Sequence, residues 1–189
     1  MFLETVLCVE GEARNLPYHQ QRLSNTLRHH GVVCIYDLKR LIAPPKKGVY
    51  RCRFIYDAYG FSVEYHPYSP KQIVSLRAVV DDKIEYPHKM VDRNRLDALY
   101  ALRDGCDDVL IIREGQLTDT TIANIALFDG SRWLTPQKPL LEGTSRARLI
   151  DEGFLTPAPL RLEDIASAQK IAVFNALIGF VEVENGIIV

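Results

Sequence analysis

Hydrophobic and polar positions divide the 189 residues into short alternating runs set between a few helical stripes. The opening "FLETVLCVEGEARNL" reads as a short strand, an "EGE" turn and a second short segment. "NLPYHQQRLSNTLRHHG" then has helix punctuation: Asn15 to cap, Pro17 in the first turn and Gly31 at the exit. Leu23 and Leu27 share one face of that helix, with His19 a turn before them. "LIAPPKKG" is a loop. "GVYRCRFIYDAYGFSVEYHPY" alternates on both sides of "DAYG" and predicts a hairpin. Its period of two puts Arg51 and Arg53 on one face and Tyr50, Cys52 and Phe54 on the other.

After "QIVSLRAVV", another predicted strand, a loop containing "EYPHKM" leads to a helix within "RNRLDALYALRDG". Leu96, Leu99 and Leu102 form its apolar stripe, and Gly105 marks its exit. Next come the strand "VLII", a polar loop "TDTTIAN", the strand "IALF", a "DGS" turn and the strand "RWLTP". "LLEGTSRARLIDEGF" predicts a glycine-led helix ending at Gly153, and "LEDIASA" a short helix. "KIAVFNALIGFVEVENGIIV" reads as a strand, a loop and a closing hairpin around Asn185-Gly186. The order is α+β, not regular βαβ winding. The proline-containing region at 67–87 is the best divide, giving a small N-terminal α+β domain over 1–75 and a larger C-terminal one over 76–189.

Composition changes this picture little. The chain is 47% hydrophobic and 25% charged, within the globular range, and is long enough for a real core. A net charge of −1 gives no global attraction to nucleic acid or membrane. No apolar run approaches the roughly 20 residues of a membrane span, and the opening does not read as a signal peptide. Cys8, Cys34, Cys52 and Cys106 show no CxxC spacing, which argues against a zinc site or disulfide framework and for a reducing cytoplasm.

Several short stretches can carry chemistry. In "EGTSRARL", Gly143 allows close backbone approach, and the first N–H groups of the helix after it are unpaired at the positive end of its dipole. Thr144 and Ser145 add hydroxyl donors, making a phosphate cradle or an ordinary N-cap. In "YPHKMVDRN", Lys89 beside apolar groups and other cations would have a lowered pKa and a nucleophilic amine, or be a solvated surface lysine. "YHQQRL" sets His19 and Arg22 at i and i+3, suited to an anion or to a solvated helix face. Asp119 alone reads as a loop cap. Arg51 and Arg53 can clamp a carboxylate or simply face solvent.

Taken in order, these stretches resemble the class IV aminotransferases, the fold-type-IV pyridoxal-phosphate enzymes that include aminodeoxychorismate lyase and the branched-chain and D-amino-acid aminotransferases. "FLETVLCVEGEARNLPYHQQRL" resembles the family's "FET…dG…l…H..RL" opening, which implies a phosphate-binding Arg22. "HKMVDR" resembles the segment with the Schiff-base lysine, Lys89. "DDVLIIREGQLTDTTIANIALF" is similar to "eallln..g.vtEg…N.f", which implies that Asp119 partners the pyridine nitrogen and that Asn124 is the family's loop asparagine. "LLEGTSRARL" resembles "LLpGitR", with Thr144 and Ser145 in the phosphate turn, and "VFNALIGFVEV" resembles the lyases' late "NAL" segment, placing Asn175 and Ala176 at the same phosphate. Arg93 is the residue chosen to contact the cofactor's phenolic oxygen, with Arg95 of "NRL" the alternative. The acid is Asp where the family usually has Glu. Longer members also carry a strand-and-loop segment before the "FET" stretch that this chain lacks, so the small domain is expected to be truncated.

The resemblance thus implies a two-domain, D-amino-acid-aminotransferase-like α+β fold, pyridoxal 5'-phosphate as cofactor, and a cytoplasmic homodimer. It implies a small amino- and carboxylate-bearing substrate, which Arg51 and Arg53 would clamp, and no nucleic-acid or membrane partner. The reaction nearest in kind is that of aminodeoxychorismate lyase, releasing 4-aminobenzoate and pyruvate. An amino-acid transaminase, a non-catalytic pyridoxal-phosphate-binding relative and a plain phosphate-ligand module stand beside it.

Overall fold

The computed structural model describes residues 1–184 and 186–188, in two units. The first comprises Met1–Pro70 with His88–Asp92, and the second Lys71–Pro87 with Arg93–Val189.

The first unit is an antiparallel sheet covered on one face by a helix. Its strands are β1 (Phe2–Val9), β2 (Glu12–Ala13), β3 (Val49–Tyr56) and β4 (Phe61–Pro67), in the order β2-β1-β3-β4. Between β2 and β3 lie α1 (Leu16–His29) and a single turn, α2 (Leu38–Leu41). Leu23 and Leu27 of α1 are fully buried on Val6, Cys52, Phe54 and Tyr56, each contributing about 1.5–3 kcal/mol through lost water contact. Register aligns Leu7 with Arg51 and His66, and Thr5 with Arg53 and Glu64, so both arginines share the sheet face that α1 leaves open. Asn15 does precede α1, but its side chain makes no capping bond. It serves the helix start through its left-handed backbone, at φ 55°, which asparagine tolerates.

The sequence reading puts everything from residue 76 in the second domain, yet His88–Asp92 belongs with the first unit. The other edge of β1 has unpaired backbone groups at its start. The Leu3 amide donates to the Lys89 carbonyl at 2.8 Å, the Val91 amide to the Met1 carbonyl at 3.2 Å, and Phe2 bridges Met90.

The second unit holds a larger mixed sheet. Its elements in chain order are β5 (Leu76–Val80), α3 (Asn94–Tyr100), β6 (Asp108–Arg113), β7 (Gln116–Thr120), β8 (Asn124–Phe128), β9 (Trp133–Pro136), α4 (Thr144–Asp151), β10 (Leu155–Ala158), α5 (Asp164–Ser167), β11 (Lys170–Asn175), β12 (Gly179–Glu182) and β13 (Ile187–Ile188). The sheet runs β10-β9-β8-β7-β6-β5-β13, with β11 pairing β8 and β12. Leu76, Leu110, Leu117, Ile125 and Val173 form its core. No helix among the described residues is long and apolar enough to cross a membrane.

Three expectations change here. "TDTTIAN" is not a loop: Asp119 and Thr120 end β7, Asn124 opens β8, and only residues 121–123 turn. Leu102 is exposed, because α3 gives way at Tyr100 to a tighter 3-10 turn that rotates the next side chain off the apolar stripe. The last strand does not close a hairpin. Ile187 and Ile188 pair in parallel with Leu76 and Arg77, while the hairpin is β11 with β12; Asn185 lies outside the described residues.

Candidate functional site

In the first unit, the alternation of β1 turns Phe2, Glu4, Val6 and Cys8 toward α1, so a carboxylate enters the core. Glu4 is fully buried. Its Oε1 accepts from Arg22 Nε at 2.9 Å and its Oε2 from Arg22 Nη2 at 2.6 Å; Oε2 also meets His19 Nδ1 at 2.6 Å. Burial pushes the Glu4 carboxyl up, but the Arg22 charge and the His19 and Arg22 bonds outweigh it and hold it down at about 2. His19 is equally buried. Desolvation lowers its pKa more than the Glu4 bond raises it, so a neutral ring donating from Nδ1 satisfies the carboxylate. The positive charges of Arg22 and Lys89 push His19 the same way, which sets Lys89 within electrostatic reach of this cluster. The sequence reading offered Arg22 to a phosphate; in the structure two of its donors are engaged by Glu4.

In the second unit, Asp119 is buried, with Oδ1 accepting from Asn124 Nδ2 at 2.7 Å and Oδ2 from the Leu141 amide at 2.8 Å. Asn124 Nδ2 also donates to the Leu141 carbonyl at 3.0 Å. Burial is the dominant influence and raises the Asp119 carboxyl to about 7, against the Leu141 amide, the Asn124 bond and the Arg146 charge. Two residues beyond Leu141, Gly143 precedes α4, which starts with no side-chain cap. Thr144 and Ser145 are buried at that uncapped end. A Cβ on Gly143 would stand 2.0 Å from Asn124 Oδ1, so the position admits only glycine without rearrangement.

The raised carboxyl has a measurable sign. Folded Asp119 keeps its proton to about pH 7, whereas an ordinary aspartate releases it near 3.8. The folded state therefore binds more protons in that window, and Asp119 makes stability fall as pH rises through it. Urea denaturation of the wild type and Asp119→Asn across the window is expected to show a stability difference that drifts against the wild type with rising pH. A constant difference would mean an ordinary carboxyl.

Arg93 donates from Nη2 to the Thr121 carbonyl at 3.0 Å, tying the start of α3 to the β7–β8 turn. Arg95, the alternative, grips Asp81 with Nε at 2.6 Å and Nη2 at 2.7 Å. A cleft of about 590 Å³ runs past Arg93, Tyr100, Asp108, Thr121 and Ile122. Asn175 Oδ1 accepts from the Leu177 and Ile178 amides of its own turn, and its Nδ2 donates to the Ile122 carbonyl in the β7–β8 turn. Its side chain therefore shapes the turn containing Ala176. On the open face of the first unit's sheet, Arg53 pairs with Glu64 at 2.8 Å, and Glu64 also takes His66. The Arg51 Nε is buried without a hydrogen-bond partner.

Sequence reasoning gave Glu4 no role, although an acid at a core-facing position of an alternating strand was the available signal. It gave Gly143 only a close backbone approach and left Asn124 without a mechanical reason, because the partners are Asn124 Oδ1 at Gly143 and the Leu141 backbone at Asn124, which no pattern distinguishes. Among the described residues no group of histidines, cysteines and acids is arranged to hold a metal ion.

The profile of the amino-transferase class IV family matches residues 52–185. An uncharacterized Haemophilus influenzae protein is 36% identical over 180 residues, covering 92% of this chain and 96% of that one. A Haemophilus somnus crystal structure, provisionally described as a 4-amino-4-deoxychorismate lyase, superposes with a TM-score of 0.89 at 33% identity, covering 94% of this chain and 96% of that one. The expected truncation is thus modest: a solved relative of this short form is spanned almost completely. A hypothetical aminotransferase from Mycobacterium tuberculosis, in its PLP-bound form, shares the fold at 19% identity and a TM-score of 0.78, covering 98% of this chain and 82% of that one. With the expected α+β elements and the ordered motifs in place, the chain belongs to the class IV aminotransferase family and has the fold-type-IV architecture.

Proposed function

We propose that the protein is a pyridoxal-phosphate-dependent enzyme acting on a small amino- and carboxylate-bearing substrate, with a lyase reaction of the aminodeoxychorismate type first and transamination second. The observation that carries the reading is the linkage of a buried acid, Asp119, to the uncapped start of α4 through Leu141. An ionisable acid and a set of unpaired helix amides are the two groups that a phosphorylated pyridine requires. The residues therefore fit the cofactor. The lyase preference rests on the Haemophilus somnus relative.

Lys89 would be the covalent anchor, Asp119 the partner of the ring nitrogen, and Arg93 the contact for the phenolic oxygen. The α4 amides with Thr144 and Ser145, Arg22, and the turn at Asn175 and Ala176 would receive the phosphate. When bound, the cofactor supplies an electron sink for a carbanion at the substrate's α-carbon. Asp119 contributes by holding negative charge where a ring proton must stay; a pyridinium partner would draw its carboxyl back down from about 7. Glu4 offsets much of the Arg22 charge. Lys89 would also be the group that takes the substrate's α-proton and returns it. Arg51 is the better carboxylate clamp of the strand pair, because Arg53 is already paired to Glu64. The expected assembly is a homodimer.

The deciding experiment is a visible spectrum of the pyridoxal-phosphate-saturated protein, then addition of an amino donor without a keto acid. Pyruvate release from aminodeoxychorismate with the aldehyde form retained supports the lyase. Accumulation of the cofactor's amine form supports a transaminase. A protein that stays colourless at saturation is no enzyme of this class.

A further inference from the structure

Asn124 stands at the first residue of β8, and its amide reaches both the end of β7 and the turn before α4. Its Nδ2 donates to Asp119 Oδ1 at 2.7 Å and to the Leu141 carbonyl at 3.0 Å. The Leu141 amide returns to Asp119 Oδ2 at 2.8 Å, closing a ring of three bonds around one backbone residue. Its Oδ1 fills the space where any side chain on Gly143 would begin, 2.0 Å from a Cβ built there. Leu141 and Gly143 bracket Glu142 just before α4, so both backbone positions that aim the first turn of that helix are set by one side chain.

We propose that Asn124 is a positioning residue that joins Asp119 and the turn entering α4 into one hydrogen-bonded unit, so that the acid for a ring nitrogen and the amides for a phosphate are aligned together. This rests on the functional reading of Asp119 and α4 given above. The physical argument is geometric. Asp119 is a short acid, with little reach of its own. Both of its oxygens hold donors, and both donors belong to, or are held against, the phosphate turn. Rotation of Asp119 therefore displaces Leu141, and displacement of Leu141 deprives Asp119 of a donor. The charged groups acting on this acid from the α4 side are Arg146 and Glu142, which oppose each other. The neutral Asn124–Leu141 pair is thus what distinguishes one arrangement of the loop from another.

The test uses the protein without cofactor. Asn124→Ala is expected to speed amide hydrogen exchange at Leu141 by about tenfold or more, while Ile125 and Leu127 in β8 stay protected. In the same variant, carbon-13 NMR of the Asp119 carboxyl is expected to show a higher titration midpoint, since the carboxylate loses a donor. Gly143→Ala should loosen the loop in the wild-type background and be tolerated in the Asn124→Ala background, where its Cβ has room. The unaltered protein offers a check that needs no variant: intrinsic-rate-corrected protection of the Leu141 amide should fall with the same midpoint at which Asp119 takes up its proton. Unchanged Leu141 exchange and an unchanged Asp119 midpoint in folded Asn124→Ala would overturn the linkage. A wild-type protein that takes up no pyridoxal phosphate would instead overturn the functional reading, and the ligand half of the proposal with it. Where uptake occurs, Asn124→Ala should weaken pyridoxal phosphate and inorganic phosphate together by roughly tenfold; loss confined to one of them would refute joint alignment.

Discussion

Lys89→Ala is expected to abolish the visible absorbance of the pyridoxal-phosphate-saturated protein and to lower turnover by roughly 10³-fold or more, because the proposed covalent anchor and proton-transferring base would be lost together. The size of the expected effect follows from one amine being proposed for both roles, with no second lysine in the "YPHKMVDRN" segment to replace it. The backbone should survive the change. Lys89 is held through its carbonyl by the Leu3 amide, and Val91 by the Met1 carbonyl, neither of which depends on the side chain. Lys89→Arg is the informative companion, since it keeps a cation near His19 but has no nucleophilic amine. Both variants should therefore be colourless and inactive. A Lys89→Ala protein that still develops the wild-type absorbance would move the anchor elsewhere.

The second large effect lies in the first unit's core. Glu4→Gln keeps the shape of the side chain and removes its charge, leaving the Arg22 guanidinium in a nearly dry site against His19. Breaking a buried pair from one side costs about 3–5 kcal/mol, as the remaining charge is left uncompensated. The same carboxyl predicts the acid limb of stability. Its pKa is depressed from 4.5 to about 2, so its contribution is fully present above 4.5 and is lost as pH falls through 2, amounting to about 3 kcal/mol. Urea denaturation at neutral pH and at pH 3 should show the wild type losing stability and Glu4→Gln losing distinctly less. Equal losses would place the acid-labile group elsewhere.

Much of the fold was legible because its signals are local. The alternation of β1, β3 and β4, the stripe of α1 and the glycine before α4 each report a periodicity or a backbone need that a few adjacent residues express. Errors came where a partner far along the chain decides. Nothing local tells that Ile187 pairs with Leu76 in parallel, or that "TDTTIAN" is strand on both sides of a three-residue turn. Polar content suggested a loop there, but the threonines and the acid are buried against hydrogen-bond partners that only the sheet supplies. Thr118, for example, donates to the Ile111 carbonyl across the hairpin.

The sequence by itself determined the family, the α+β class and the chemical inventory: an amine at 89, an acid at 119, arginines at 22 and 93, and a glycine-led helix start at 143. These are covalent facts about residue type and spacing, and their order along the chain carries the resemblance. Tertiary structure alone decided how each group is occupied. It gave Arg22 to Glu4, put Lys89 on the edge of β1, divided the Asn175 amide between its own turn and the Ile122 carbonyl, and bound Asp119 to Leu141 both directly and through Asn124. The reason is physical. A buried polar group must be paired, and its partner is whatever the fold brings within about 3 Å, which for these residues lies from a few to more than eighty positions away along the chain.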